Sequence, residues 1–413
     1  MESHLQREKR TSMWSLPYEI QVDIFIRLPV ISILACRCVC KIWWNLLCDP
    51  NFIKNHLILT GISSNPRLIF GHSRSNKNPI INSMDYKSIS CFSKAKLVSM
   101  DYPFENKKIK AIVTLGSCDG LICLGISSGG MGIEEKNCIC IWNPLTGEYR
   151  NIKVSLSDFL AESEYFVRYG FGYDSNMDDY KLVKISDNEH PGCLKIQVYT
   201  LGTKSWRTIQ CTDHYTFPGQ LHERLPGVLV NGALHWKGGS TTSTTKVIFP
   251  KVIISFDINS ERLRDFPFPG ETLPPSSDWK MYKEVGMLEG FLWVVCSVIN
   301  SRTDVWVMLD YGVTNSWTTI FSTTRLSMTR YQFFKPIWSF RNGDILVYTR
   351  DSNQLNLCEQ DNGKTRKVLL HGVNMSRYPE SCVESLVSLD TGTYVEKRTT
   401  NGNKKKLQQQ RLR

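Results

Sequence analysis

The sequence predicts two architectures in one chain: a small all-helical module over residues 14–59, then a mainly β domain of propeller type over 60–392. Three observations predict this. An apolar period of helical type fills residues 14–59, short alternating runs rich in Val, Ile, Tyr and Trp replace it from about residue 60, and two turn words then recur at spacings near 50. A flexible N-terminus (1–13) and a basic, disordered tail (393–413) are expected to flank these parts.

In the helical part, Pro17 suits the first position of a helix, and Ile20, Ile24 and Leu28 recur at i, i+4, i+8 on one face. Pro29 stops that helix, and Ser32 is placed to cap a short second one through Ile33 and Leu34. A third helix runs through Val39, Ile42, Trp43, Leu46 and Leu47 to Asp49-Pro50, with Phe52, Ile53 and Leu57 continuing the apolar pattern. So small a module has too much surface for its volume to bury all these side chains, so a partner surface is expected to cover some of them.

In the β part, a two-residue turn ending in Gly precedes an apolar strand at Asp119-Gly120, Asn231-Gly232, Glu289-Gly290 and Asn342-Gly343, and Asp178-Asp179 is a looser version. Such pairs favour tight hairpins because both central residues tolerate positive φ. Positions 120, 179, 232, 290 and 343 are 59, 53, 58 and 53 residues apart. A second word, a strand followed by a polar loop and a further strand, keeps step with the first. Tyr149, Trp206, Leu263, Trp317 and Thr365 mark its equivalent point, at spacings of 57, 57, 54 and 48. Several strands per unit at this period mean propeller blades; a β-sandwich would not show five phased copies. Residues 60–110 supply a degenerate sixth blade, and the apolar run Cys382 to Leu389 is expected to close the ring, removing its free sheet edges.

Charge and cysteine content exclude other classes. The chain has 50 basic and 39 acidic residues, net +11. Residues 397–413 hold seven basic and no acidic side chains and 1–13 are net +1, which leaves +3 for the body and disfavours nucleic acid as its partner. No apolar run is long enough to span a membrane and the N-terminus is charged where a signal peptide would be apolar, so a soluble protein of the cytoplasm and/or nucleus is expected. Lys404-Lys405-Lys406 reads as a nuclear-import patch or as a solvated terminus. The 14 cysteines contain no C-x-x-C. Cys36, Cys38 and Cys40, and likewise Cys138 and Cys140, lack a His at zinc-ligand spacing, so buried thiols are expected and neither metal nor cofactor.

The catalytic motifs are poor. Gly125-Ile126-Ser127-Ser128-Gly129 matches G-x-S-x-G, but no helical pattern follows it, and a nucleophile elbow needs a strand-to-helix turn. His222-Glu223 lacks the second His of a zincin, no P-loop occurs, and His235 within ALHW reads as a core residue. The sequon at Asn374 carries little meaning in a chain that is not secreted.

Residues 14–57 resemble an F-box. Leu16-Pro17, Glu19-Ile20, Leu28-Pro29-Val30, Val39-Cys40-Lys41-x-Trp43 and Asp49-Pro50-x-Phe52 match its pattern, and Ile31, Ala35 and Ile42 depart from it where Lys, Arg and Ser are common. The words GSCDGLICL (116–124), WNPLTGEYR (142–150), GFGYDSNMDDYKLVKI (170–185), VYTLGTKSWRTI (198–209) and VLVNGALHW (228–236) resemble the plant F-box-associated interaction domain, a relative of kelch repeats. The two resemblances cover about 14–390 and imply a kelch-like β-propeller of about six blades behind a helical F-box.

The resemblance implies a non-catalytic substrate receptor of an SCF-type ubiquitin ligase. The F-box would dock on a Skp-family adaptor, and through it on cullin and RING subunits, while the propeller holds an unknown target protein. Carried over as adaptor contacts are Leu16, Pro17, Ile20, Ile24, Leu28, Pro29, Ile33, Val39, Cys40 and Trp43, with an even division between interface and internal packing for each aliphatic residue and interface favoured for Leu16, Pro17 and Trp43. Trp44 is a second aromatic anchor of the kind that dominates interfaces. Target contacts are sought in the loops 127–137, 211–226, 237–249 and 269–283, through Tyr215, Phe217, Trp279 and Tyr282. Two other classes stay open: a kelch-like scaffold that delivers no substrate, and a propeller enzyme, which would need acids, a metal or a modified residue in the channel.

Overall fold

The structure is a computed structural model. It describes residues 16–390 apart from 64–65, 75–76, 87–88, 90–96, 104–108, 131–132, 155–166, 188–192, 218–224, 241–251, 271–280, 299–300, 324–333, 341, 350–353, 361–364, 369 and 371–374. The expected N-terminal segment and basic tail, as well as Trp279 and His222, lie outside the described residues.

Four helices come first: α1 (Tyr18–Ile26), α2 (Val30–Arg37), α3 (Lys41–Leu47) and α4 (Pro50–Ser63). Pro17 and Pro29 occupy the N-cap positions of α1 and α2, so Ser32 lies inside α2 and is not its cap. The thiol of Cys40 caps α3 by accepting from the Trp43 amide at 3.3 Å. Asp49 caps α4, its carboxylate accepting from the amides of Asn51 and Phe52 at 2.9 and 3.1 Å, with Pro50 pre-set at the first helical position. This helix runs to Ser63, four residues past the expected boundary.

The β domain is a ring of six four-stranded blades. Blade two is Ile109–Cys118, Leu121–Gly130, Ile133–Trp142 and Tyr149–Lys153, from the axis outward. Blade three is Val167–Asp174, Asp179–Asp187, Cys193–Thr200 and Ser205–Thr216, and blade four is Val228–Val230, Ala233–Ser240, Val252–Asp257 and Leu263–Pro267. Blade five is Met281–Leu288, Phe291–Val298, Thr303–Met308 and Trp317–Thr323, and blade six is Phe334–Ser339, Ile345–Thr349, Gln354–Cys358 and Thr365–Val368. Blade one takes Arg67–Arg74, Lys77–Asp85 and Leu97–Met100 from the start of the domain and its innermost strand, Met375–Cys382, from the end. The closing strand therefore finishes where Cys382–Leu389 was expected to begin it; the apolar residues after Cys382 have another use, taken up below.

The two turn words fall where the period places them. Asp119, Asn231 and Glu289 have φ of 51°, 48° and 51°, followed by Gly120, Gly232 and Gly290 at 81°, 73° and 86°, the paired left-handed residues of a tight hairpin. Tyr149, Leu263, Trp317 and Thr365 each open the outermost strand of a blade, and Trp206 is second in its own. Alternation then does the packing. Along Arg67–Arg74, Leu68 and Phe70 face blade six while Ile69 faces blade two; in blade two, Ile139 and Ile141 face blade three while Cys140 faces blade one. The period of two along each strand thus fills the core on both sides of a blade.

Buried ion pairs tie blades three and four. The Lys181 ammonium meets Asp174 and Glu261 (2.6 Å) and donates to the Ile258 carbonyl at 3.1 Å, and Arg207 also reaches Glu261. Burial alone would raise the Asp174 carboxyl, but the bonds from Lys181 and from the Met177 and Asn176 amides outweigh it and hold it below the usual range. A four-charge cluster of this kind is costly to desolvate and far costlier to break.

Candidate functional site: an apolar helical face and the two ends of the ring

The helical module has more apolar side chains than its interior takes. Phe25, Val30, Ile33, Trp43, Leu46, Leu47 and Phe52 form the interior, with the Trp43 ring edge-on to Phe25 at 4.9 Å. His56 is buried beside them, its Nε2 2.9 Å from the Leu28 carbonyl, and burial lowers its pKa. Arg37 ties α2 to α3 by donating to the Leu47 carbonyl from Nε and Nη2 at 3.2 and 2.7 Å. What remains outside is Tyr18, Ile20, Ile24, Ile31, Val39, Ile42, Trp44, Ile58 and Leu59. These are nine of the fifteen large apolar residues exposed among the described residues, gathered on about a tenth of the chain. An exposed apolar area of that density marks an interaction surface.

The expected contact residues divide accordingly. Ile20, Ile24, Pro17, Pro29 and Val39 are exposed, and Leu16, Leu28 and Cys40 are half-buried. Ile33 is fully buried and Trp43 is 8% exposed, so the expectation that favoured Trp43 for an interface is corrected: its ring is the keystone of the module's own core. Its neighbour Trp44, 53% exposed, is the aromatic that faces out. Tyr18, Ile31, Ile42, Ile58 and Leu59 were missed. The signal that finds them is apolar residues on two opposite faces of short helices, since one face suffices for a core.

The module sits on one end of the ring. Ile53 and Leu57 of α4 pack against the core between blades two and three, and Lys54 pairs with Asp178 in the first hairpin of blade three at 3.1 Å. The hairpins at 119–120, 231–232 and 289–290 share this end because the first strand of each blade runs toward it. The opposite end is reached by the strand ends that bracket 155–166, 188–192, 218–224, 241–251, 271–280 and 324–333. The described strand ends that flank the four expected target loops lie at that far end.

Their anchors are another matter. Tyr215 lies in the outermost strand of blade three, and both it and Phe217 (3% exposed) pack in the core between blades three and four with Trp236 and Ile254, so neither is a surface anchor. Edge-on packing of Phe217 on Trp236 and the Arg168 guanidinium over its ring at 5.0 Å explain why aromatics stand there. Tyr282 is half-buried near the axis, donating to Glu284 at 2.9 Å under the Lys237 ammonium, which itself pairs with Glu284 at 3.0 Å. The segment 127–137 is largely the second hairpin of blade two, and Ser127 sits in its strand, so G-x-S-x-G has no strand-to-helix turn. His235 is buried, between the Val228 carbonyl (3.1 Å) and the Tyr311 hydroxyl (2.9 Å), with burial lowering its pKa to about 4. On the axis lies a cavity of about 70 Å³ whose lining includes Ser117, Pro226, Gly286, Lys335 and Glu380. Its two charged residues pair with each other at 3.1 Å.

Two family models match this layout. The F-box-associated β-propeller domain matches residues 66–391 and the F-box-like domain residues 13–59. The chain belongs to the F-box-associated β-propeller family. Among its relatives in Arabidopsis thaliana, the F-box/kelch-repeat protein At3g23880 is 26% identical over 385 residues, covering 91% of this chain and 96% of the relative. The F-box protein CPR1 is 29% identical over 371 residues, covering 85% and 81%. An F-box with a C-terminal propeller is consistent with a substrate-recognition adaptor, and here an exposed apolar helical face stands at one end of the ring.

Proposed function

We propose that this protein is the substrate-recognition subunit of an SCF-type ubiquitin ligase. The exposed apolar face of the F-box docks on a Skp-family adaptor, which carries the cullin and RING subunits. The far end of the propeller holds a target protein for ubiquitin transfer. The chain then contributes proximity and orientation, making an otherwise bimolecular step effectively intramolecular, and supplies no nucleophile or base of its own. The observation that carries this reading is the concentration of nine exposed apolar side chains on the helical module. The free thiols of the described cysteines support a reducing compartment, cytoplasm or nucleus.

Co-precipitation of the full chain with a Skp-family adaptor tests the docking. Replacing Leu16 and Pro17 by Ala, or Trp44 by Asp, should abolish capture while leaving the fold intact by circular dichroism; undiminished capture refutes the assignment. Proteasome-dependent loss of a bound protein distinguishes a receptor from a scaffold that delivers nothing.

A further inference from the structure

The interior of the F-box is not closed by its own residues. Leu386, 1% exposed, completes the cluster of Phe25, Val30, Ile33, Trp43 and Leu47, from a point in the chain beyond all six blades. The chain arrives there by leaving the closing strand at Cys382 and running without regular secondary structure through 383–390 across the F-box end of blade two. Ser385, Leu386, Val387 and Leu389 are all buried. Irregular backbone tolerates burial only when its polar groups find partners. Here the turn between the last two strands of blade two supplies them. Asn143 Nδ2 donates to the carbonyls of Ser385 and Val387 at 3.1 and 2.8 Å. Glu148 Oε2 accepts from the Leu389 amide at 2.6 Å and the Ser388 hydroxyl at 2.7 Å. Arg150 Nη2 donates to the Leu389 carbonyl at 2.8 Å. Room is made as well, since a Cβ on Gly120 would stand 2.3 Å from that of Ser385.

The side chains of this segment alternate between two bodies. Leu386 enters the F-box core, while Val387 and Leu389 enter the core between blades two and three, where Ile53 and Leu57 of α4 also pack. We propose that residues 383–390 are a positioning strap: they complete the F-box core and fix the module at one angle on the ring. Leu386 then acts as a positioning residue for the docking face although it lies outside that face. Ring closure and presentation of the F-box are set by one stretch of chain, so the adaptor-bound end is held at a constant height below the target-facing end. The adaptor consequence rests on the function proposed above; the mechanical one does not.

Hydrogen exchange on the full chain tests the strap. Two variants are compared with the parent: Leu386→Ala, and the double change Asn143→Ala with Glu148→Gln, which releases the strap without altering any F-box residue. Amides of α2 and α3 should exchange at least about tenfold faster in both, with those of blades four to six unchanged. Unchanged F-box protection in the double variant overturns the proposal. So does loss of protection throughout the ring, because the segment would then hold the ring together and not position the module. In a parallel titration with a purified Skp-family adaptor, both variants should bind at least about tenfold more weakly than the parent. A parent chain that binds no adaptor refutes the proposed function and leaves the exchange result to decide the strap.

Discussion

The two ends of the propeller are built on opposite principles. At the F-box end, hairpins of two residues with paired positive φ join the first and second strands of blades two, four and five, and the strap and α4 cover the surface between blades two and three. At the far end, the outermost strand of one blade connects to the innermost strand of the next through long segments such as 154–166, 268–280 and 324–333. Short turns with fixed dihedrals leave the sequence little choice, whereas long connections in general tolerate more variation. The difference puts fixed local geometry at one end, and the function proposed above places recognition at the other.

The contrast breaks most readily where the F-box end is held by charge. Lys181→Met strands Asp174 in the interior and leaves Glu261 with Arg207 alone, and denaturant unfolding should show a loss of about 3–5 kcal/mol. Acidification strikes the same end. His235 titrates near 6.5 in the unfolded chain and about 4 in the folded one, so its contribution is complete above pH 6.5 and falls as pH drops toward 4. The total loss should approach about 3 kcal/mol, and His235→Phe should flatten the dependence of the unfolding midpoint between pH 7 and 5.

Smaller effects sharpen the comparison. Gly232 has φ 73° and open space where a Cβ would go, so Gly232→Val should cost about 1–2 kcal/mol from backbone strain alone. Exchanging 271–280 for Gly and Ser of equal length leaves the residues of the blades and of the F-box unaltered. Target capture should nonetheless fail while adaptor capture persists; a chain that still captures its target places recognition elsewhere. Smallest of all is the exposed Lys54–Asp178 pair: Lys54→Ala should leave the unfolding midpoint unmoved, because solvent screens it. A clear drop would mean that this pair, and not the strap, holds the module.

Much of the fold was legible because repeated packing forces repeated words. The Gly turns and the outer-strand markers recur since every blade solves the same problem, and they mark the hairpins of the F-box end and the strands between. The far end leaves no such trace. Tyr215 and Phe217 looked like anchors because they stand in a long polar stretch; in space they close the core between blades three and four, where Tyr215 and Thr216 pair with Ser240 and Gly239. Trp43 misled for a related reason: an apolar residue in a small module has two destinations, and its neighbour Trp44 took the outward one.

The sequence by itself determined the order of the parts, the phase of the blades, the chemistry of the tight turns and the family. Periods of 3.6 and 2 are local, and turn dihedrals are properties of one or two residues, so both can be read without a partner. The tertiary structure alone decided which face of each helix is covered, which aromatics are core, and that the apolar run after Cys382 serves the F-box and not the sheet. Burial is a property of two surfaces brought together, and Leu386 meets Trp43's cluster across more than three hundred residues of chain.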